Sequence, residues 1–305
     1  MQHAGLPRPP DFRVLELEQV LVHEDLILTG AGPVAIGERA SLHRRYHCAF
    51  AAMLCCLPLA AHAEEAPDLC VDRPGLGTPT CTLEPGRVMV EFGALQWEHT
   101  AAPGARDDTI TLADTLVRIG LGHSTDLQVG LGGWGHARSR SGNAVQTERG
   151  LGDAMIGIRH GFGSPDDAKV AVQAFVTLPI GRAPGGAGDW GAGVLVPIAL
   201  PLPAGFQLEL APEVDAAVNG SGHGRHLAWG NVFGVSHPVG PSLGVTAEIS
   251  AFRDEDPAGH TTDSRFALSG AWHAGRSLQI DFEIDIGLSA GAPDHAILLG
   301  FARQF

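Results

Sequence analysis

Asp281, Glu283 and Asp285 stand two residues apart in the stretch Leu278–Leu288, separated by Phe282 and Ile284. Carboxylates at that spacing share one face of a strand, which suits a path or site for cations and polar solutes, or simply a polar, hydrated wall. Glu209, Glu213, Asp215 and Glu248 add acids from other segments, and Glu91, Arg118, Asp153 and Arg159 complete the charged positions expected on that face. Because Arg118 and Arg159 neutralise part of the charge, the plain polar wall is the preferred reading.

Signals for other chemistry are weaker. Gly240-Pro-Ser242-Leu-Gly244 and Gly287-Leu-Ser289-Ala-Gly291 match G-x-S-x-G, but that string exposes a serine nucleophile only on a turn from strand into helix. Each match lies at a strand boundary with no helical pattern after it, and in a chain with 41 glycines chance matches are expected. His123, His160, His237 and His273 have no evident partners. There is no H-E-x-x-H motif and no paired C-x-x-C. No catalytic residue, metal ligand or cofactor is therefore expected.

The elements that must carry the charged set alternate with period two. Along Leu278–Leu288 every even position is apolar and every odd one is polar or glycine. A helix would spread those acids round its surface, whereas a strand sorts them to one side. The same alternation runs through Val170–Leu178, Phe206–Val214 and Leu243–Ala251. Turn signals divide the chain from 86 onward into about twelve strands, at 86–98, 108–121, 126–138, 150–162, 169–181, 190–200, 206–218, 226–237, 242–253, 262–273, 277–288 and 295–305. Connections at 122–125, 163–168, 201–205, 238–241 and 274–276 are short; those at 99–107, 139–149, 182–189, 219–225, 254–261 and 289–294 are longer.

An even number of long strands, with short turns at one end and longer loops at the other, predicts a transmembrane antiparallel up-and-down β-barrel over 86–305. A soluble barrel or sandwich also alternates, but many charges on the inward face suit a wet lumen better than a packed core. Trp97, Trp134, Trp190 and Trp229 fall in the expected outer half, and Phe162, Phe206, Trp272 and Phe305 near the opposite ends, as interfacial anchors do. No stretch reads as a membrane-spanning helix, because Pro197, Pro201 and Pro203 interrupt the longest charge-free run. A formal net charge of −14 argues against a nucleic-acid partner.

Before the barrel, Arg44-Arg45, the apolar run from Cys48 to Ala60 and Ala61-His62-Ala63 form the three parts of a secretory signal, giving a signal peptide over 44–63. Residues 1–43 precede it and read as a mis-assigned start or a disordered extension. Cys48, Cys55 and Cys56 leave with the signal, so Cys70 and Cys81 meet an oxidising compartment and are expected to form a structural disulfide. Residues 64–85 are accordingly a periplasmic segment carrying that bridge.

Several of these stretches resemble a bacterial family named for transporters of the meta-pathway of phenol degradation. The likeness is carried by Cys70-Val-Asp-Arg-Pro74, Cys81 and Pro85-Gly-Arg-Val-Met-Val-Glu91, then Leu116-Val-Arg-Ile-Gly120, Thr125-Asp-Leu-Gln-Val-Gly130, Gly150-Leu-Gly-Asp-Ala-Met-Ile-Gly-Ile-Arg159 and Val176-Thr-Leu-Pro-Ile-Gly181. It covers most of 68–305, and the order of the motifs carries more weight than any one of them. The resemblance implies an outer-membrane barrel linked to uptake of aromatic or other hydrophobic compounds. The ending Ile297, Leu299, Phe301, Phe305 also resembles the carboxy-terminal signal read by the outer-membrane insertion machinery, with Phe301 and Phe305 as its aromatic positions and Arg303 as a departure. Expected partners are outer-membrane lipid, that machinery and a small solute. The expected function is a channel or transporter for small solutes; the alternatives are a structural or surface-interaction barrel and, more distantly, an outer-membrane hydrolase.

Overall fold

The computed structural model describes residues 69–163 and 169–305. The expected amino-terminal extension at 1–43, the expected signal peptide at 44–63 and residues 164–168 of the expected connection at 163–168 lie outside the described residues.

Twelve antiparallel strands close into a barrel. They are β1 (Val88–Ala102), β2 (Ala105–Leu112 and Asp114–Gly120), β3 (Thr125–Leu131 and Trp134–Ser141), β4 (Ala144–Leu151 and Ala154–Gly161), β5 (Ala171–Leu178) and β6 (Gly191–Leu195 and Ile198–Pro201). Then follow β7 (Gln207–Leu210 and Glu213–Val218), β8 (Arg225–Pro238), β9 (Leu243–Asp254), β10 (Thr261–His273), β11 (Leu278–Gly287) and β12 (His295–Gln304). Each strand pairs with the next, and β12 returns to β1 through Phe92 opposite Phe301 and His99 opposite His295. A bulge at Ala94 shifts this closing register, and closure leaves no unpaired edge.

The period of two decides what each face meets. On β11, Gln279, Asp281, Glu283 and Asp285 are buried while Ile280, Phe282, Ile284 and Ile286 are exposed. Exposed Val129, Ile156, Val194, Phe233, Ile249, Leu268 and Leu299 continue that apolar belt round the barrel. An exposed apolar band of this extent is stable only against lipid. Phe162, Phe206, Trp272 and Phe305 stand exposed at the tight-turn end, and Trp134, Trp190 and Trp229 towards the other.

Two expected long loops are strand instead. β1 continues through 99–102 and turns on Pro103-Gly104, and β3 and β4 run through most of 139–149 about a turn at Gly142-Asn143. Their polar residues pair in tall hairpins, which adds ladder hydrogen bonds that a loop forgoes. Five strands are also broken in mid-course, at Ala113, Gly132-Gly133, Gly152-Asp153, Val196-Pro197 and Ala211-Pro212. Where β3 and β4 break the backbones nearly touch: a Cβ on Gly132 would lie 2.7 Å from the Gly152 Cα. Pro197 and Pro212 lack the N–H that an unbroken ladder needs.

Candidate functional site

The interior of the barrel holds part of its own chain. Val88 starts β1 with its N–H bonded to the Phe305 carbonyl, and Gly86 bonds back to Gly120. Just before this turn the Glu84 carbonyl presses on Gly120, where any Cβ would collide with it. Upstream, the segment from Leu69 to Leu83, part of the stretch expected at 64–85 as a periplasmic segment, runs inside the barrel. The physical reason is polar complementarity: a coil has unpaired backbone N–H groups, and the wall carries buried acceptors that must be satisfied.

The acceptors are acids of the charged set. Glu91 of β1 accepts from the Asp72 N–H at 3.0 Å and the Arg73 N–H at 3.1 Å. Glu283 of β11 accepts from the Gly75 N–H at 2.8 Å. Glu248 of β9 takes the N–H groups of Leu76 and Gly77, both at 2.8 Å. Asp281 accepts from the Arg73 guanidinium at 3.1 Å. That guanidinium lies against Gly93 and Gly300, where a Cβ would come within 3.2 and 2.6 Å of it.

On the opposite wall the signs reverse. Asp72 receives Arg118 of β2 at 2.9 Å and Arg159 of β4 at 2.6 Å, both guanidiniums being fully buried. Burial by itself pushes the Asp72 carboxyl up; the two guanidiniums outweigh it and hold the group well below the usual carboxylate range. Arg118 also donates to Asp126 at 2.6 Å and to the Cys70 carbonyl at 2.7 Å, and Arg159 donates to Gln173 at 2.8 Å. Gln128 links Asp126 to Gln173, completing a buried polar layer over β2 to β5.

A disulfide joins Cys70 and Cys81, whose Cα atoms are 5.8 Å apart, and makes the segment a compact ring. Cys70 and Leu83 pack on Met89 and Ala302, while Leu76 enters an apolar patch of Ala211, Val232, Phe252 and Ala267.

The charged positions thus divide. Glu91, Arg118, Arg159, Glu248, Asp281 and Glu283 hold the internal segment. Asp285 is buried near Arg265, which also pairs with Glu98 and Asp263. Glu209 accepts from Ser236, and Glu213 and Asp215 are neighbours on one face of β7. Asp153 falls at the break in β4 and clamps the loop after β5 through the N–H groups of Gly181 and Ala187. Asp72, Arg73, Asp126, Gln128, Gln173 and Gln279 belong to the same interior and were not anticipated. Ser289 donates to the Thr262 carbonyl and accepts from the Ser264 N–H, so its hydroxyl ties a loop. His160 contacts Thr125, and His237 stacks on Phe206 at 4.2 Å. Phe301 packs on Phe92 with ring centroids 5.2 Å apart.

Fold and interior together define a closed β-barrel of the outer-membrane type with a segment of its own chain inside. The fold is similar to that of an outer membrane channel from Pseudomonas putida F1, with a TM-score of 0.60 and 14% identity over 76% of this chain and 99% of that one. It is also similar, more distantly, to the β domain of the Bordetella autotransporter BrkA (TM-score 0.48, 14% identity, 73% and 100%). A monoaromatic hydrocarbon channel, CymD, gives a TM-score of 0.44 at 7% identity over 73% and 89%. No protein-family model matches the sequence, and no curated protein matches it.

Proposed function

We propose that the protein is an outer-membrane channel for small solutes, with residues 69–83 standing in the path as a plug. The observation that carries this reading is the polar interior: acids and arginines of seven or more strands face inward, and their side chains hold the segment there together with two small apolar contacts. A wall that grips its occupant through separate polar contacts suits a path that a shift of the occupant would open. The interior is also two-sided, with the patch around Val232 and Phe252 on one flank and the guanidinium layer on another. That division suits small solutes with an apolar body, in line with the resemblance to transporters of aromatic compounds. The same plug also favours a second reading, a barrel that stays shut and serves as a surface structure.

Planar-bilayer recording of the full mature chain separates the two. Conductance in the wild type, or in Asp72→Asn after silence in the wild type, supports a channel. Silence in both, with intact barrels by heat-modifiable gel mobility, rejects it in favour of the structural reading. Uptake of small aromatic acids by a deletion strain, with and without the gene restored, then tests the solute class.

A further inference from the structure

At the long-loop end of the barrel, well separated from the internal segment, His226 of β8 meets Asp254 at the end of β9 and Asp256 in the following loop. One ligand atom from each lies within 4.8 Å of the others. The histidine side chain is only 5% exposed, and its Nε2 is 2.8 Å from the Asp254 Oδ1. Nδ1 is 2.9 Å from the Asn219 Oδ1 and 3.6 Å from the Asp256 Oδ2.

The tautomer follows from the neighbouring amide. The Asn219 Nδ2 donates to the His223 carbonyl at 2.9 Å, so the Oδ1 is the atom turned to the ring, and it must accept from Nδ1–H. In the neutral ring Nε2 is then a bare lone pair. It faces a carboxylate oxygen 2.8 Å away, and the buried Nε2 has no hydrogen bond. Two acceptors at that separation repel unless a cation lies with them. The pair does not have hydrogen-bond geometry. An imidazole whose other N–H is fixed by an oxygen, beside two carboxylates, is the usual ligand set of a divalent transition metal.

We propose that His226, Asp254 and Asp256 bind one divalent transition-metal ion of the zinc type, with Asn219 positioning the imidazole. Asp256 already accepts the N–H groups of Gly220 at 2.6 Å and Ala258 at 2.7 Å, so its carboxylate ties the loop after β7 to the loop after β9, and the ion would join β8 to them. One imidazole and two carboxylates favour such an ion over calcium or magnesium, which take oxygen ligands. The remaining coordination falls to solvent, since Asp254 is 38% exposed.

The test uses the full mature chain, folded in detergent, stripped with a chelator that is then removed, and titrated with zinc chloride by calorimetry. One zinc ion per chain is expected, with calcium unable to displace it. Asp254→Asn and His226→Gln are each expected to abolish binding, and Asn219→Ala to weaken it roughly 10- to 100-fold, as loss of an orienting partner does. Heat-modifiable mobility confirms that each variant is folded, and Asp254, the most exposed ligand, is the variant least able to disturb the barrel. No binding by the wild type, or undiminished binding by folded Asp254→Asn and His226→Gln, overturns the proposal.

Discussion

Asp72 is the residue on which the interior turns. It is the only ion-pair partner of Arg159 among the described residues, whereas Arg118 keeps Asp126 and Glu91. Removing one member of a buried pair leaves the other uncompensated, at a cost of about 3–5 kcal/mol. Asp72→Asn is therefore expected to lower the unfolding midpoint of the detergent-folded barrel, an effect that Arg159→Gln in the same chain largely cancels. A double-mutant cycle measures it, and additive losses would show that the pair is not coupled. Facing on β11 gives a second prediction at this scale. Ile284→Arg sets a charge against lipid and is expected to cost about 2–4 kcal/mol. Glu283→Gln keeps a carbonyl that accepts from Gly75 and is expected to leave the barrel band on unheated gels unchanged. The inward position of Asp281, Glu283 and Asp285 could be read from the sequence because alternation on β11 is unbroken. Asp126 and Gln128 obey the same rule one strand after Arg118, but a seven-residue segment followed by Gly132-Gly133 made the pattern faint. Asp72 and Arg73 stood out only within the Cys70–Pro74 motif, with no sign of an inward role, because periodicity says nothing about where a coil goes.

At the level of elements, strand number and order were legible, since a strand needs only alternation between turn residues. The tall hairpins were not. Thr100–Asp107 and Ser139–Arg149 have no sustained apolar face, so above the membrane nothing in the pattern separates a solvated ribbon from a loop. The breaks were half visible, as Pro197, Pro212 and the glycine pairs, but their common purpose depends on contacts between strands. Gly132→Leu tests that purpose. With the Gly152 backbone 2.7 Å from the new Cβ, overpacking of about 1–3 kcal/mol is expected, against little effect for Gly244→Ala, whose position has open space and an ordinary backbone conformation. Thermal unfolding of the two variants compares them directly. The disulfide ring is a further element with its own readout. Its span of 11 residues corresponds to roughly 3 kcal/mol in the chain-entropy model. Replacing Cys70 and Cys81 by serine is expected to leave gel mobility unaltered but to speed hydrogen exchange at the Gly75, Leu76 and Gly77 amides. Unchanged exchange would mean that the wall acids alone hold the segment.

For the whole molecule, the balance of interior charge sets what an opened path would prefer. Glu209, Glu213, Asp215, Glu248, Asp281, Glu283 and Asp285 outnumber Arg73, Arg118, Arg159 and Arg265, so openings of Asp72→Asn are expected to favour cations, and to lose that preference as salt rises. Reversal potentials in a salt gradient decide it; a preference for anions would place the governing charges elsewhere. The architecture also constrains the order of events in making the protein. The ring lies upstream of β1, enters beside Gly120, and is enclosed by a cylinder whose seam is the pairing of β1 with β12. A bridged coil gripped from β1, β2, β4, β9 and β11 cannot be threaded through a finished wall without undoing those contacts. Its seating and the zipping of the seam are thus one event, in which the segment ahead of β1 acts as the mandrel on which the rest is wound.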